Sequence, residues 1–219
     1  MQTLSLPTSS PTILCLGAHS DDIEIGCGGT LLHLLGRMPE AKVHWVSFSA
    51  DGKRADEAQR GVELFAGTQA AAVELHTFRD GFFPEAFGEI KERFRELQKS
   101  VDPDLVLTHC RGDLHQDHRV ISELTLQTFR NHLILEYEIA KYDGDLGAPN
   151  VYVSLDSEDA DRKVDNLLSA FASQTEKYWF TADNFRALMR VRGIECRASS
   201  GFAEAFYAHK LVFGASSST

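Results

Sequence analysis

Residues 12–38 read TILCLGAHSDDIEIGCGGTLLHLLGRM, and the fold turns on how this stretch changes character along its length. Thr12 to Ala18 is a short apolar run ending at a small residue, the pattern of a buried strand. A polar turn, His19-Ser20-Asp21-Asp22, follows. From Gly26 onward Leu31, Leu32, Leu35 and Met38 recur at helical spacing. Strand, polar turn and helix in this order predict the first half of a βαβ unit.

The same alternation continues outward. VHWVSFSA from Val43 reads as a second strand, and ADEAQRGVELFAG from Ala55 as a helix stopped by Gly67. AAVELHTF from Ala71 is a third strand. FGEIKERFRELQKSV from Phe87 is an amphipathic helix with charge pairs on its outer face, closed by Pro103. DLVLTHC from Asp104 is a fourth strand, and HQDHRVISELTLQTFRNHL from His115 is helical. Strands alternating with helices predict an α/β fold with a mostly parallel sheet. After Leu133 the pattern loosens: LILEYEIAKYD and NVYVSL read as strands, SEDADRKVDNLLSAFASQ as a helix, and FYAHKLVF from Phe206 as a last edge strand. No internal repeat or linker divides the chain, so residues 1–219 are read as one domain, with about 1–11 and 214–219 flexible.

Composition narrows the function. The net charge of -10 lacks the basic surface that nucleic-acid binding needs. Cys15, Cys27, Cys110 and Cys196 form no C-x-x-C pair and match no structural zinc cage. They read as reduced thiols in a cytoplasmic protein. The first residues lack the basic start and apolar stretch of an export signal, and no stretch approaches the length of a membrane span. The chain is compatible with a homo-oligomer.

Ligands of such sheets gather where strand ends meet the following loops. Two polar clusters fall there: His19-Ser20-Asp21-Asp22 after the first strand, and Arg111 to Arg119 after the fourth. Either alone is ordinary chemistry for a turn or helix start. Together they suit one catalytic metal, which takes three protein ligands and keeps a position open. His19 and Asp22 can reach one ion from the loop, and His118 supplies a third ligand from the helix. Asp21 is left free as a base, and His115 lies one helical turn before His118. Zn2+ fits this set, as do other divalent ions such as Fe2+. Gly26-Cys27-Gly28-Gly29 lacks the G-x-G-x-x-G and Walker spacings and reads as a close-packing run.

AHSDDIEIGCGGTLLHL and THCRGDLHQDHRVI resemble, in order and separation, the two signatures of the PIG-L/LmbE-like de-N-acetylase family. Weaker similarity extends over most of the chain, including Arg54 to Glu57 and a late Ala203-Glu204-Ala205-Phe206. The resemblance implies a Rossmann-like, three-layer fold and zinc-dependent removal of an acyl group, usually acetyl, from an amino sugar or its conjugate. By position it implies His19, Asp22 and His118 as zinc ligands and Asp21 as general base. It implies His115 as the group stabilising the oxyanion, with Asp117 orienting or charging that histidine. Arg54 and Asp80 fall where family members contact substrate. Ser20 stands where the family usually has proline, which puts loop rigidity in question.

The leading expectation is therefore hydrolysis of a small N-acyl amine or N-acetyl sugar. A second is an amidase for a thiol conjugate or a peptide-like amide. A third is a metal- or nucleotide-binding module without catalysis, against which Asp21 and His115 speak. His109 and Cys110 end the fourth strand and are expected to support the site, with Cys110 a minor alternative as fourth ligand. Tyr178, Trp179 and Phe180 read first as packing residues and second as a sugar-stacking surface. Arg190 and Arg192 read either as a grip on an anion or as a solvated helix end.

Overall fold

A computed structural model describes residues 3–6 and 8–212. The tail expected to be flexible, 214–219, lies outside them, as do Met1, Gln2 and Pro7 of the expected flexible start. The strands are β1 (Thr12–His19), β2 (Lys42–Ser49), β3 (Ala70–Leu75), β4 (Leu105–His109), β5 (Ile134–Tyr137), β6 (Val151–Leu155) and β7 (Phe202–Ala208). The helices are α1 (Asp22–Arg37), α2 (Lys53–Phe65), α3 (Phe87–Ser100), α4 (Gln116–Thr128), α5 (Ser157–Ala170) and α6 (Ala182–Cys196).

The seven strands lie in the order β3-β2-β1-β4-β5-β7-β6. The first five are parallel, and β7 runs antiparallel to both its neighbours. Alternate strand residues face opposite sides of the sheet. Ile13 and Cys15 join a core with α1, α2, α5 and α6, whereas Leu14 and Leu16 join a second core with α3 and α4. This is the mostly parallel, three-layer α/β arrangement the sequence predicts. Its strand order reverses between β1 and β4, and a crevice opens beyond their carboxyl ends.

The glycine run works by closeness. A Cβ on Gly26 would lie 2.2 Å from Tyr137 Cδ2, and one on Gly28 would lie 2.6 Å from Phe65 Cε1. Only a bare backbone lets α1 settle this tightly on β5 and α2. Glu204 of β7 then reaches α1, accepting bonds from the Gly29 and Thr30 amides at 2.9 and 2.6 Å. Lys163 of α5 pairs with Glu204 and donates to the Ile25 carbonyl at 2.6 Å. This buried ion pair joins α1, α5 and β7.

The looser C-terminal part departs from expectation in three places. LILEYEIAKYD stays in the sheet only through Tyr137. Helix α6, of which the sequence suggests only an end near Arg190 and Arg192, is capped by Thr181, which accepts the Asn184 amide, and Phe185, Met189, Arg192 and Gly193 form its buried side. The expected edge strand from Phe206 begins at Phe202 and is interior, with β6 at the edge. Ala203, Glu204 and Ala205 hid its start, being residue types depleted in strands. Phe213 of that stretch lies outside the described residues.

Candidate metal centre and active site

β1 and β4 deliver the two polar clusters to one point. β1 ends on His19, and α1 starts at Asp22. The His19 amide donates to Asp22 Oδ2 at 2.6 Å, which folds the turn back on itself. Ser20 Oγ donates to the Ser49 carbonyl at 3.1 Å, so the serine at the expected proline position ties the loop to β2. After β4, the loop reaches His115, the N-cap of α4, whose Nδ1 accepts the Asp117 amide at 3.3 Å.

Three donor groups converge there. His19 Nδ1 lies 3.2 Å from His118 Nε2 and 3.2 Å from Asp22 Oδ2, and His118 Nε2 lies 3.5 Å from Asp22 Oδ1. Ligands about 2.0–2.2 Å from a tetrahedral zinc stand roughly 3.3–3.6 Å apart. Two imidazole nitrogens and a buried carboxylate at these separations suit a shared divalent cation, so the residues fit the ion implied by the sequence. Among the described residues, metal-capable atoms also cluster in His19, His115 and His118 and in His19, Asp80, His115 and Asp117. A fully buried alternative is Asp22, His109 and His118. It fits less well: the His109 and His118 rings stack 3.9 Å apart at 20°, so their in-plane lone pairs run side by side. The Ala18 amide also donates to His109 Nε2 at 2.9 Å.

Each converging histidine has a carboxylate behind it. Asp113 Oδ2 is 2.9 Å from His118 Nδ1. Asp117 Oδ2 is 3.2 Å, and Asp80 Oδ1 3.0 Å, from His19 Nε2. Such partners fix the tautomer and ring plane of a metal-binding histidine. Burial opposes the charge on Asp22, yet His118, His109 and His19 hold its carboxyl well below the usual range. Burial likewise opposes ionisation of Asp113, but His118, His109 and Lys141 lower it further.

One expected contact is arranged differently. The Asp117 carboxylate does not turn to His115; it accepts the Gly81 and Phe83 amides at 2.6 and 3.1 Å and faces His19. Burial and the neighbouring His118 and His19 push the His115 imidazole below its ordinary value. Its Nδ1 is occupied by an amide proton, so in the neutral ring Nε2 carries the hydrogen.

Asp21 is buried beside the triad, with Arg54 2.9 Å from its Oδ1. Arg54 also bonds Glu57 at 2.7 Å, and Glu57 accepts the Ser173 amide and hydroxyl at 2.8 and 2.6 Å. The C-terminal part thus braces Arg54 from behind. Asp80 is exposed, lines the cavity and has its Oδ1 3.0 Å from His19 Nε2. Glu24, under the turn, is fully buried with no partner among the described residues, and burial pushes its carboxyl well above the usual range.

His19, Asp21, Asp22, Arg54, His115 and His118 line a cavity of about 580 Å³. Gln174, Lys177 and Trp179 form part of its wall. Of the expected aromatic cluster, Trp179 reaches the cavity, Phe180 is core and Tyr178 is exposed. Cys110 accepts the Gly112 amide, burial pushes its thiol up to about 11, and it joins none of the metal-capable groups among the described residues. Arg192 is buried and bonds Glu138 and Glu195, so it is neither an anion grip nor solvated.

Sequence reasoning assigned no role to Asp113 and Glu57, though both lie in stretches it singled out, and did not point to Lys141 or Ser173. Asp113 sits inside the second cluster, and its place two residues before His115 was a usable signal. Ser173 carries none, because only the tertiary fold brings it to Glu57.

The profile of the PIG-L family, described as GlcNAc-PI de-N-acetylase, matches residues 14–129, more than half of the chain. The protein belongs to this family. No curated protein sequence matches it. Several solved structures share its fold. The conserved protein TT1542 from Thermus thermophilus is 19% identical, with a TM-score of 0.71 over 95% of this chain and 100% of that one. N,N'-diacetylchitobiose deacetylase from Pyrococcus horikoshii is 18% identical, with a TM-score of 0.67 over 92% and 86%. GalB, the 4-carboxy-2-hydroxymuconate hydratase from Pseudomonas putida, is 17% identical, with a TM-score of 0.68 over 93% and 98%. A deacetylase and a hydratase on one scaffold mean that the site, not the fold, has to carry the functional argument.

Proposed function

We propose that this protein is a metal-dependent N-deacetylase that hydrolyses an N-acetylated amino sugar or its conjugate. One observation carries the reading. His19 Nδ1 and His118 Nε2 stand 3.2 Å apart, each within 3.5 Å of one oxygen of the Asp22 carboxylate, in a cavity that all three line with Asp21. Family membership supplies the reaction class.

His19, Asp22 and His118 would hold the ion, zinc being the one their chemistry suits best. A divalent ion so held supplies Lewis acidity, polarising an acyl carbonyl and acidifying water. Asp21 takes the proton of the attacking water, and Arg54 keeps its carboxylate turned to the cavity. His115 donates from Nε2–H to the oxygen on which negative charge develops. A neutral imidazole suffices for this, and each well-placed donor contributes about 3–4 kcal/mol to such a step. Asp21, now protonated, returns its proton to the departing amine. Asp117 and Asp80 hold the outer edge of the His19 ring. The cavity admits a sugar-sized group, and the half-buried Trp179 offers it an apolar wall.

Among the described residues no helix is long and apolar enough to cross a membrane. The test is acetate release from a panel of N-acetylated amino sugars and their conjugates by zinc-loaded protein. Release by the wild type and its loss in Asp21→Asn would support the reading. No release from any member at full metal occupancy would sink it.

A further inference from the structure

Behind the converging donors stands a residue that the hydrolysis does not use. His109 ends β4 with no solvent exposure. The β1–β4 pairing stops at Cys15 and Leu107, three residues short of Ala18. The Ala18 amide therefore meets an imidazole in place of a strand carbonyl, at 2.9 Å from His109 Nε2. A buried amide without an acceptor would be costly. Accepting it uses the Nε2 lone pair, which leaves His109 no free donor on that side for an ion. The Tyr137 hydroxyl, 3.3 Å from the same nitrogen, donates to the Leu16 carbonyl at 2.7 Å and closes the other flank.

Each of these contacts bears on the donor triad. Ala18 directly precedes His19, so a fixed Ala18 amide fixes the backbone that carries the first donor. The His118 ring lies flat on His109, centroids 3.9 Å apart, and its plane is set by that stack. Asp22 Oδ2 lies 3.2 Å from His109 Nε2; with that nitrogen accepting the Ala18 amide the two are both acceptors, so the ring stops the carboxylate from turning further toward it and leaves Oδ1 toward His118.

We propose that His109 is a positioning residue for the metal centre. It sets the separation of His19, Asp22 and His118 without touching ion or substrate. The inference rests on the reading of those three as ligands.

His109→Gln and His109→Met are close in size and differ in whether the Ala18 amide finds an acceptor. Zinc affinity is measured by competition with a chromophoric chelator, and the visible spectrum of cobalt-loaded protein reports the coordination geometry. The Met variant is expected to bind zinc about 10–100-fold more weakly with a changed cobalt spectrum, while Gln stays within about threefold of wild type. A Met variant within about twofold of wild type, or a Gln variant as weak as Met, overturns the proposal. His118→Ala separates the two layers of the argument. Tight zinc in His118→Ala removes the ligand assignment itself; loss there beside unchanged affinity in His109→Met removes only the role of His109. If neither His109 variant folds, hydrogen exchange at Ala18 in the wild type decides. Slow exchange supports the contact, and exchange at the rate of an unpaired amide overturns it.

Discussion

Arg54 stands 2.9 Å from Asp21 Oδ1 and is held there by Glu57 on its other side. The guanidinium is thus engaged with the carboxylate proposed as base at the wall of the cavity. Asp21→Asn is expected to keep its zinc and lose about 10²–10⁴-fold in kcat. Arg54→Ala, by letting that carboxylate drift, is expected to lose about 10²-fold in kcat with little change in KM. Both are read from acetate-release kinetics. A rise in KM at constant kcat would return Arg54 to direct substrate contact.

Removing the ion or a ligand has a stability signature separate from activity. A chelator is expected to lower the melting temperature of wild type, because an ion bound only by the folded state stabilises it by about 2.7 kcal/mol at a free concentration 100 times Kd. His118→Ala should melt at one temperature with or without chelator. A chelator-sensitive melt with stoichiometric zinc in that variant would show that His118 is not a ligand.

Asp113 braces His118 from behind at 2.9 Å. Asp113→Asn keeps the shape and loses the charge, so zinc affinity should fall about 10–100-fold. There is also a pH signature. The folded protein holds this carboxyl below its ordinary value, chiefly through His118 and against the cost of burial. The folded state therefore binds this proton less readily than the unfolded chain does. The stabilisation is full above about pH 4, where an ordinary aspartate is ionised, and is lost as pH falls toward the lower folded value. Chelated wild type should lose stability through that window more steeply than chelated Asp113→Asn. Parallel curves would rule the contribution out.

The Lys163–Glu204 pair offers a test of packing alone. Lys163→Met leaves the Glu204 carboxylate buried against two amides without its cation. Breaking a buried pair in this way costs about 3–5 kcal/mol, measurable by urea unfolding. A loss under about 1 kcal/mol would mean that the amides of Gly29 and Thr30 hold Glu204 unaided.

What the sequence made legible was local. β1 and β4 are apolar runs that end in polar clusters, and both the fold class and the position of the His19–Asp22 turn follow from that contrast. The carboxylates behind the histidines were harder to assign, because a spacing such as Asp117 to His115 says nothing about which ring a side chain turns to. Asp117 turns to His19, 98 residues away. The C-terminal elements were harder again. Phe202 to Ala208 contains glutamate and three alanines, and only its two strand partners give it the character of an interior strand. Ser173 and Glu57 are 116 residues apart, and nothing in either local pattern says that they meet.

The interior place of β7 bears on how the molecule is assembled during translation. β6 leaves the ribosome well before β7, yet among the described residues β7 is its only bonded neighbour in the sheet. Until residues 202–208 emerge, 151–155 have nowhere to dock, and the β5 edge stays open to foreign strands. Nascent chains stalled short of Phe202 should then be trapped by holdase chaperones, and those stalled far enough beyond Ala208 to expose it should be released.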